Sequence, residues 1–212
     1  MKIKNIIFVT AGLFFLTVPQ VIANPFKISF KPTSSTLPKF SVGGAVRGDV
    51  CAADKLDKGE IKAFVDANSL IASDLPEVFA FVPELNGDKN ATFIVKDATE
   101  DYYEEALIQI PQAGGVIKLT LDENAPKLSP NTSYNFYLRL QCGNTPSVED
   151  PIVGGTLNRV DFNIAELAKL SPEIRLQALV KKGLWYDSLS VADDLAQAGN
   201  DLYWNQLVDA VN

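Results

Sequence analysis

The side chains able to do chemistry fall into a few short stretches, and none of the 212 residues is histidine. The acidic run Glu100-Asp101-Tyr102-Tyr103-Glu104-Glu105 sets carboxylates beside tyrosines. Glycoside hydrolysis needs two such acids held about 5–10 Å apart across a sugar. Consecutive acids on one loop more often form a solvated face. Glu84, Asn86, Asp88 and Asn90 alternate oxygen ligands around a turn but lack the glycine and closing glutamate of an EF-hand loop, so no metal is expected there. Gly43-Gly44-Ala45-Val46-Arg47-Gly48 has neither the lysine nor the hydroxyl of a phosphate loop and reads as a bent segment leading to Cys51. Gly183-Leu184-Trp185-Tyr186-Asp187-Ser188-Leu189 is the most distinctive stretch. Its two aromatics should pack helices onto a sheet, each polar end needing a partner, and Asp187 can cap a helix. The same stretch is a candidate binding patch: Trp185, Tyr186, Asp187, Arg47 and Arg159 are the candidate binding residues.

The missing histidine removes Ser-His-Asp and Cys-His nucleophile pairs and every imidazole ligand. No catalytic residue, cofactor or metal is therefore assigned. The formal charge of −7, without a basic cluster, speaks against nucleic acid as a partner.

Residues 1–23 have the layout of a secretory signal peptide. Lys2 and Lys4 precede an apolar run from Ile6 to Val18, and Val21-Ile22-Ala23 offers small residues at the exit. The run is shorter than the ~20 residues of a membrane-spanning helix. Cleavage after Ala23 removes both lysines, takes the charge from −7 to −9 and leaves no transmembrane helix. The expected location is the periplasm or the outside of the cell. In that oxidising setting Cys51 and Cys142 most simply form one disulfide, two buried thiols being the alternative.

The elements that must position these residues divide near residue 162. Ten of the 12 prolines and ten of the 13 glycines lie between Asn24 and Phe162, cutting that part into short pieces. Residues 24–42, with Pro25, Pro32 and Pro38, read as an extended arm. Residues 43–162 read as a sandwich, with strands at Val78–Val82, Ala91–Val95, Ala106–Ile110, Val116–Leu121, Tyr134–Leu140 and Thr156–Phe162. Asn86-Gly87 is the expected tight hairpin turn, and Gly114-Gly115 separates the third and fourth of these strands. Leu128-Ser129-Pro130…Tyr134 resembles the tyrosine corner of fibronectin-type sandwiches. Residues 163–212 read as helical: Ser171-Pro172 starts a helix, Gly183 stops it, and apolar stripes follow from Leu189 and from Leu202. The expectation is α+β, an antiparallel β-sandwich (immunoglobulin/fibronectin-like) followed by a C-terminal helical hairpin.

Taken in order, Gly43-Gly44…Arg47-Gly48…Cys51, Phe79-Ala80-Phe81-Val82-Pro83, Leu119-Thr120-Leu121, Tyr134…Leu140-Gln141-Cys142, Gly155…Arg159-Val160 and Gly183-Leu184-Trp185-Tyr186-Asp187-Ser188-Leu189 form a set. This set is similar to the exported, mainly cyanobacterial family called domain of unknown function 928. The resemblance implies export and no established activity. Two features depart from the family: Gly143-Asn144-Thr145-Pro146 replaces an Asp-Pro-x-x-Arg-Ser type segment, and Gly154-Gly155 stands where Gly-Trp is usual.

The functional expectation is an exported non-catalytic binding module of the cell envelope, its partner an envelope protein or glycan. The alternative is a carboxylate-based hydrolase of envelope polysaccharide working through Glu104 or Glu105.

Overall fold

The computed structural model describes residues 26–28, 51, 60–66 and 68–209. The expected signal peptide, most of the arm and the glycine-rich segment with Arg47 lie outside the described residues. Eight strands are followed by helices, so the chain is α+β. The strands are β1 Lys62–Ala63, β2 Leu70–Ile71, β3 Glu77–Val82, β4 Lys89–Asp97, β5 Tyr103–Ile110, β6 Gly115–Thr120, β7 Thr132–Gln141 and β8 Ile152–Arg159. A 3-10 turn at Ile164–Lys169 leads into α1 Pro172–Lys182, α2 Trp185–Gln197 and α3 Leu202–Asp209. The three helices follow the three apolar stripes expected after Ser171, from Leu189 and from Leu202.

The strands form a three-stranded sheet in the order β1-β3-β6 and a five-stranded sheet in the order β2-β8-β7-β4-β5. All pairings are antiparallel except β2 with β8, which is parallel. Strand alternation sends Tyr134, Phe136, Leu138 and Leu140 of β7 and Ala91, Phe93 and Val95 of β4 into the core. From the other sheet come Val78, Phe79, Ala80 and Val82 of β3, and the helices add Leu176, Trp185, Tyr186, Leu189 and Leu207 to the same core. Burying each large side chain stabilises by about 1.5–3 kcal/mol.

The expected hairpin turn at Asn86-Gly87 is not a hairpin, and the Gly114-Gly115 connection is not one either. β3 and β4 flank Asn86-Gly87, and β5 and β6 flank Gly114-Gly115, yet each pair is split between the two sheets. Both connections are crossovers, and they lie against each other. The Leu85 N–H donates to the Gln112 carbonyl at 2.8 Å, and the Gln112 N–H donates to Asp88 Oδ1 at 2.8 Å. Gly114, at φ +60°, lies where a Cβ would stand 2.4 Å from the Val82 and Pro83 carbonyl oxygens. Glycine turn chemistry sets the local bend; the buried Leu85 and Pro83, which lacks a ladder N–H, carry the chain across to the other sheet.

Other local expectations match the structure. Tyr134 Oη accepts the Ser129 N–H at 2.8 Å, tying β7 to the segment before it. Pro172 opens α1 and Gly183, at φ 71°, ends it with its N–H turned back to Leu179 and Val180. Cys51 and Cys142 form a disulfide across 91 positions. Beside it the buried Asp150 carboxylate accepts N–H bonds from Cys142 and Ser147, closing the loop after β7. Among the described residues no helix is long and apolar enough to cross a membrane.

Candidate functional site

The residues that pack β7, β4 and β5 on one side present a different set on the other. From β7 come Asn135, Tyr137, Arg139 and Gln141; from β4, Thr92, Ile94 and Lys96; from β5, Tyr103, Glu105, Leu107 and Gln109. Register brings them together: Lys96 lies opposite Tyr103 and Asn135, Ile94 opposite Glu105 and Tyr137, and Arg139 opposite Thr92 and Ile152. Ile94, Lys96, Tyr103, Tyr137, Arg139 and Ile152 line a shallow concavity of about 270 Å³. Opposite Tyr137, Gly154 carries no side chain; a Cβ there would stand 3.1 Å from the Tyr137 ring.

The charges of this face are partnered unevenly. Lys96 pairs with Glu100, which holds its ammonium above the ordinary lysine range, and its Nζ lies 5.9 Å from the centre of the Tyr137 ring. Tyr103, 48% exposed, donates its hydroxyl to Glu105 Oε2 at 3.1 Å. Burial of its phenol and that bond keep it protonated above the usual tyrosine range. Arg139 Nε is buried, with no hydrogen-bond partner among the described residues. Two aromatic rings and two cations therefore share a concave surface suited to a polar ligand with flat faces, with the Glu105 carboxylate bonded to one of the rings.

The residues singled out from sequence lie elsewhere. Trp185, Tyr186 and Asp187 are interior, none more than 3% exposed. Trp185 Nε1 donates to the Phe64 carbonyl at 3.0 Å and Tyr186 Oη to the Thr156 carbonyl at 2.8 Å, while the Tyr186 ring meets Phe136 edge-on. Asp187 does not cap its own helix. It accepts the Ala72 N–H at 2.6 Å, the Ser73 N–H at 2.9 Å and the Ser73 hydroxyl at 2.6 Å, clasping the segment just after β2. Burial pushes its carboxyl above the ordinary range, against the pull of these donors and of Arg159. Arg159, at the end of β8, turns its guanidinium back onto the Val160 carbonyl. The structure brings Asp187 and Arg159 into electrostatic reach of each other; Arg47 lies outside the described residues.

Glu104 and Glu105 are successive strand residues and project from opposite faces of β5, so they do not flank one cleft. Asp88 is committed to the crossover, and among the described residues no three His, Cys, Asp or Glu side chains group as metal ligands. The sheet-face residues were missed from sequence, although the outward row of β7 alternates with the inward row that was recognised.

The family described as Domain of Unknown Function (DUF928) matches residues 42–212. The chain belongs to this family. Comparison with curated proteins finds no significant match. Among solved structures, the chain is similar to a family 76 glycoside hydrolase from a bovine Bacteroides thetaiotaomicron strain, at 11% identity and a TM-score of 0.31, over 58% of this chain and 24% of the hydrolase. The DUF928 chain thus spans about a quarter of that enzyme's length.

Proposed function

We propose that this DUF928 protein is an exported, non-catalytic binding module that takes a glycan on the outward face of its five-stranded sheet. The observation that carries the reading is the convergence of Tyr103, Tyr137, Lys96 and Arg139 on one shallow concavity. Exposed tyrosine rings stack on the apolar faces of sugars, and the surrounding charged and amide groups meet the hydroxyls. The two sheets are read as an immunoglobulin/fibronectin-like sandwich whose helices close the core. Trp185, Tyr186, Asp187 and Arg159 are positioning residues in this reading, seating α2 on β2 and β8. Export to the periplasm or beyond rests on the signal-like leader and agrees with the Cys51–Cys142 bridge.

The test is affinity electrophoresis of the whole secreted protein against a panel of neutral and acidic polysaccharides. At least one polymer should retard it, and Tyr137→Ala or Tyr103→Ala should weaken retardation about tenfold, with melting unchanged. Retardation that survives the double Tyr103→Ala, Tyr137→Ala variant at full strength moves the site off this face.

A further inference from the structure

We infer that the glycan held on this face is an acidic polysaccharide whose ring carboxylates are read by Arg139. The inference rests on the binding reading above and names the ligand's chemistry. Both nearby carboxylates already have donors: Glu100 takes Lys96, and Glu105 takes the Tyr103 hydroxyl. Arg139 lines the same concavity, and its Nε, like those of Arg159 and Arg175 elsewhere, is buried without a hydrogen-bond partner among the described residues. A ligand that covers the concavity displaces water from Arg139. A neutral sugar would leave much of that charge poorly paired, whereas a carboxylate matches the planar guanidinium with two parallel bonds.

Register adds a spacing argument. Thr92 lies opposite Arg139, so Arg139 and Lys96 are offset by four positions along β4. At about 3.4 Å per residue this sets their backbone positions roughly 14 Å apart along the strands, with Tyr137 and Ile94 between them, and the Lys96 ammonium reaches to 5.9 Å from the Tyr137 ring centre. A polymer laid along β4 and β7 meets an aromatic ring in the middle and a cation towards each end. A ring carboxylate meets Arg139 at one end, while the Lys96 end already carries its ion pair with Glu100. The chain as a whole is at −7, so long-range repulsion between like net charges opposes the encounter and recognition must be local. A protein partner is disfavoured by the same surface, because interface cores are depleted in charge and this concavity has a cation towards each end.

The experiment compares polygalacturonate with the same polymer after reduction of its carboxyl groups, using calorimetry and affinity electrophoresis on the full-length secreted protein. Wild type should bind the acidic polymer about 10- to 100-fold more tightly, and the ratio should shrink as salt is raised. Arg139→Gln should bring the ratio close to one, and Arg139→Lys should leave an intermediate ratio. Both variants sit on a half-exposed position, and their melting curves report folding separately. Equal affinity of wild type for the two polymers, or a preference unchanged in Arg139→Gln, overturns the acidic assignment while leaving the binding face standing. Wild type that holds neither polymer overturns the acidic assignment, and the binding face then stands or falls on the polysaccharide panel above.

Discussion

Asp187 reaches donors 114 and 115 positions upstream, and at 3% exposure it has little water to fall back on. Its removal strands two backbone N–H groups and the Ser73 hydroxyl. Asp187→Ala should therefore cost about 2–4 kcal/mol in urea denaturation. The sign of its pH dependence follows from burial, which holds the folded carboxyl above the unfolded value of about 3.9. The native chain then binds that proton more tightly than the unfolded chain, so this group's contribution to stability falls as pH climbs from about 4 through the folded value. Midpoints measured across that window should fall less steeply for Asp187→Ala than for wild type. Parallel slopes would mean that Asp187 titrates alike in both states. Sequence composition correctly marked Trp185-Tyr186-Asp187 as unusual, but a rare cluster of aromatics and an acid is equally what a buried junction needs.

At the scale of elements, the paired crossovers give the clearest forecast. Gly114→Ala must place a methyl where the Val82 and Pro83 carbonyls already lie 2.4 Å from the Cβ position, on a residue with positive φ. A loss of about 1–3 kcal/mol is expected, while Gly87→Ala, which also has positive φ but open space around it, should cost less. Equal losses in thermal unfolding would show that the close approach does not matter. These crossovers explain why turn residues were legible and topology was not. Asn-Gly and Gly-Gly encode a reversal of the chain, but nothing in the dipeptide says whether the next strand joins the same sheet. Strand β7 shows the complementary case. Its alternation was legible from Tyr134 to Leu140 within the ten-residue strand, down to the tyrosine bond at Ser129. The candidate face was only half legible, because Tyr137 and Arg139 come from that alternation whereas Tyr103 and Lys96 join them through register with β4 and β5. The two-residue strands β1 and β2 are too short to leave a periodic signal, and the parallel pairing of β2 with β8 lies beside the Asp187 clasp, a contact between residues more than 110 positions apart.

Over the whole molecule, the Cys51–Cys142 bridge closes the longest covalent loop. Restricting a loop of 91 positions in the unfolded chain is worth about 4–5 kcal/mol on the chain-entropy account. Cys51→Ser with Cys142→Ser should lower the guanidinium midpoint accordingly, and a midpoint within error of wild type would show that the bridge only decorates a fold complete without it. A second long-range tie has no covalent bond in it. Phe26 stacks on Tyr203 at 4.9 Å, and the Ile28 N–H donates to Gln206 Oε1 at 2.7 Å, 178 positions along the chain. A ribosome makes residue 28 long before residue 206, so this contact waits for nearly the entire chain to be synthesised. During that interval Phe26 and the Ile28 N–H lack the partners that α3 supplies in the folded chain, so any factor that must grip these residues has its opportunity before α3 emerges.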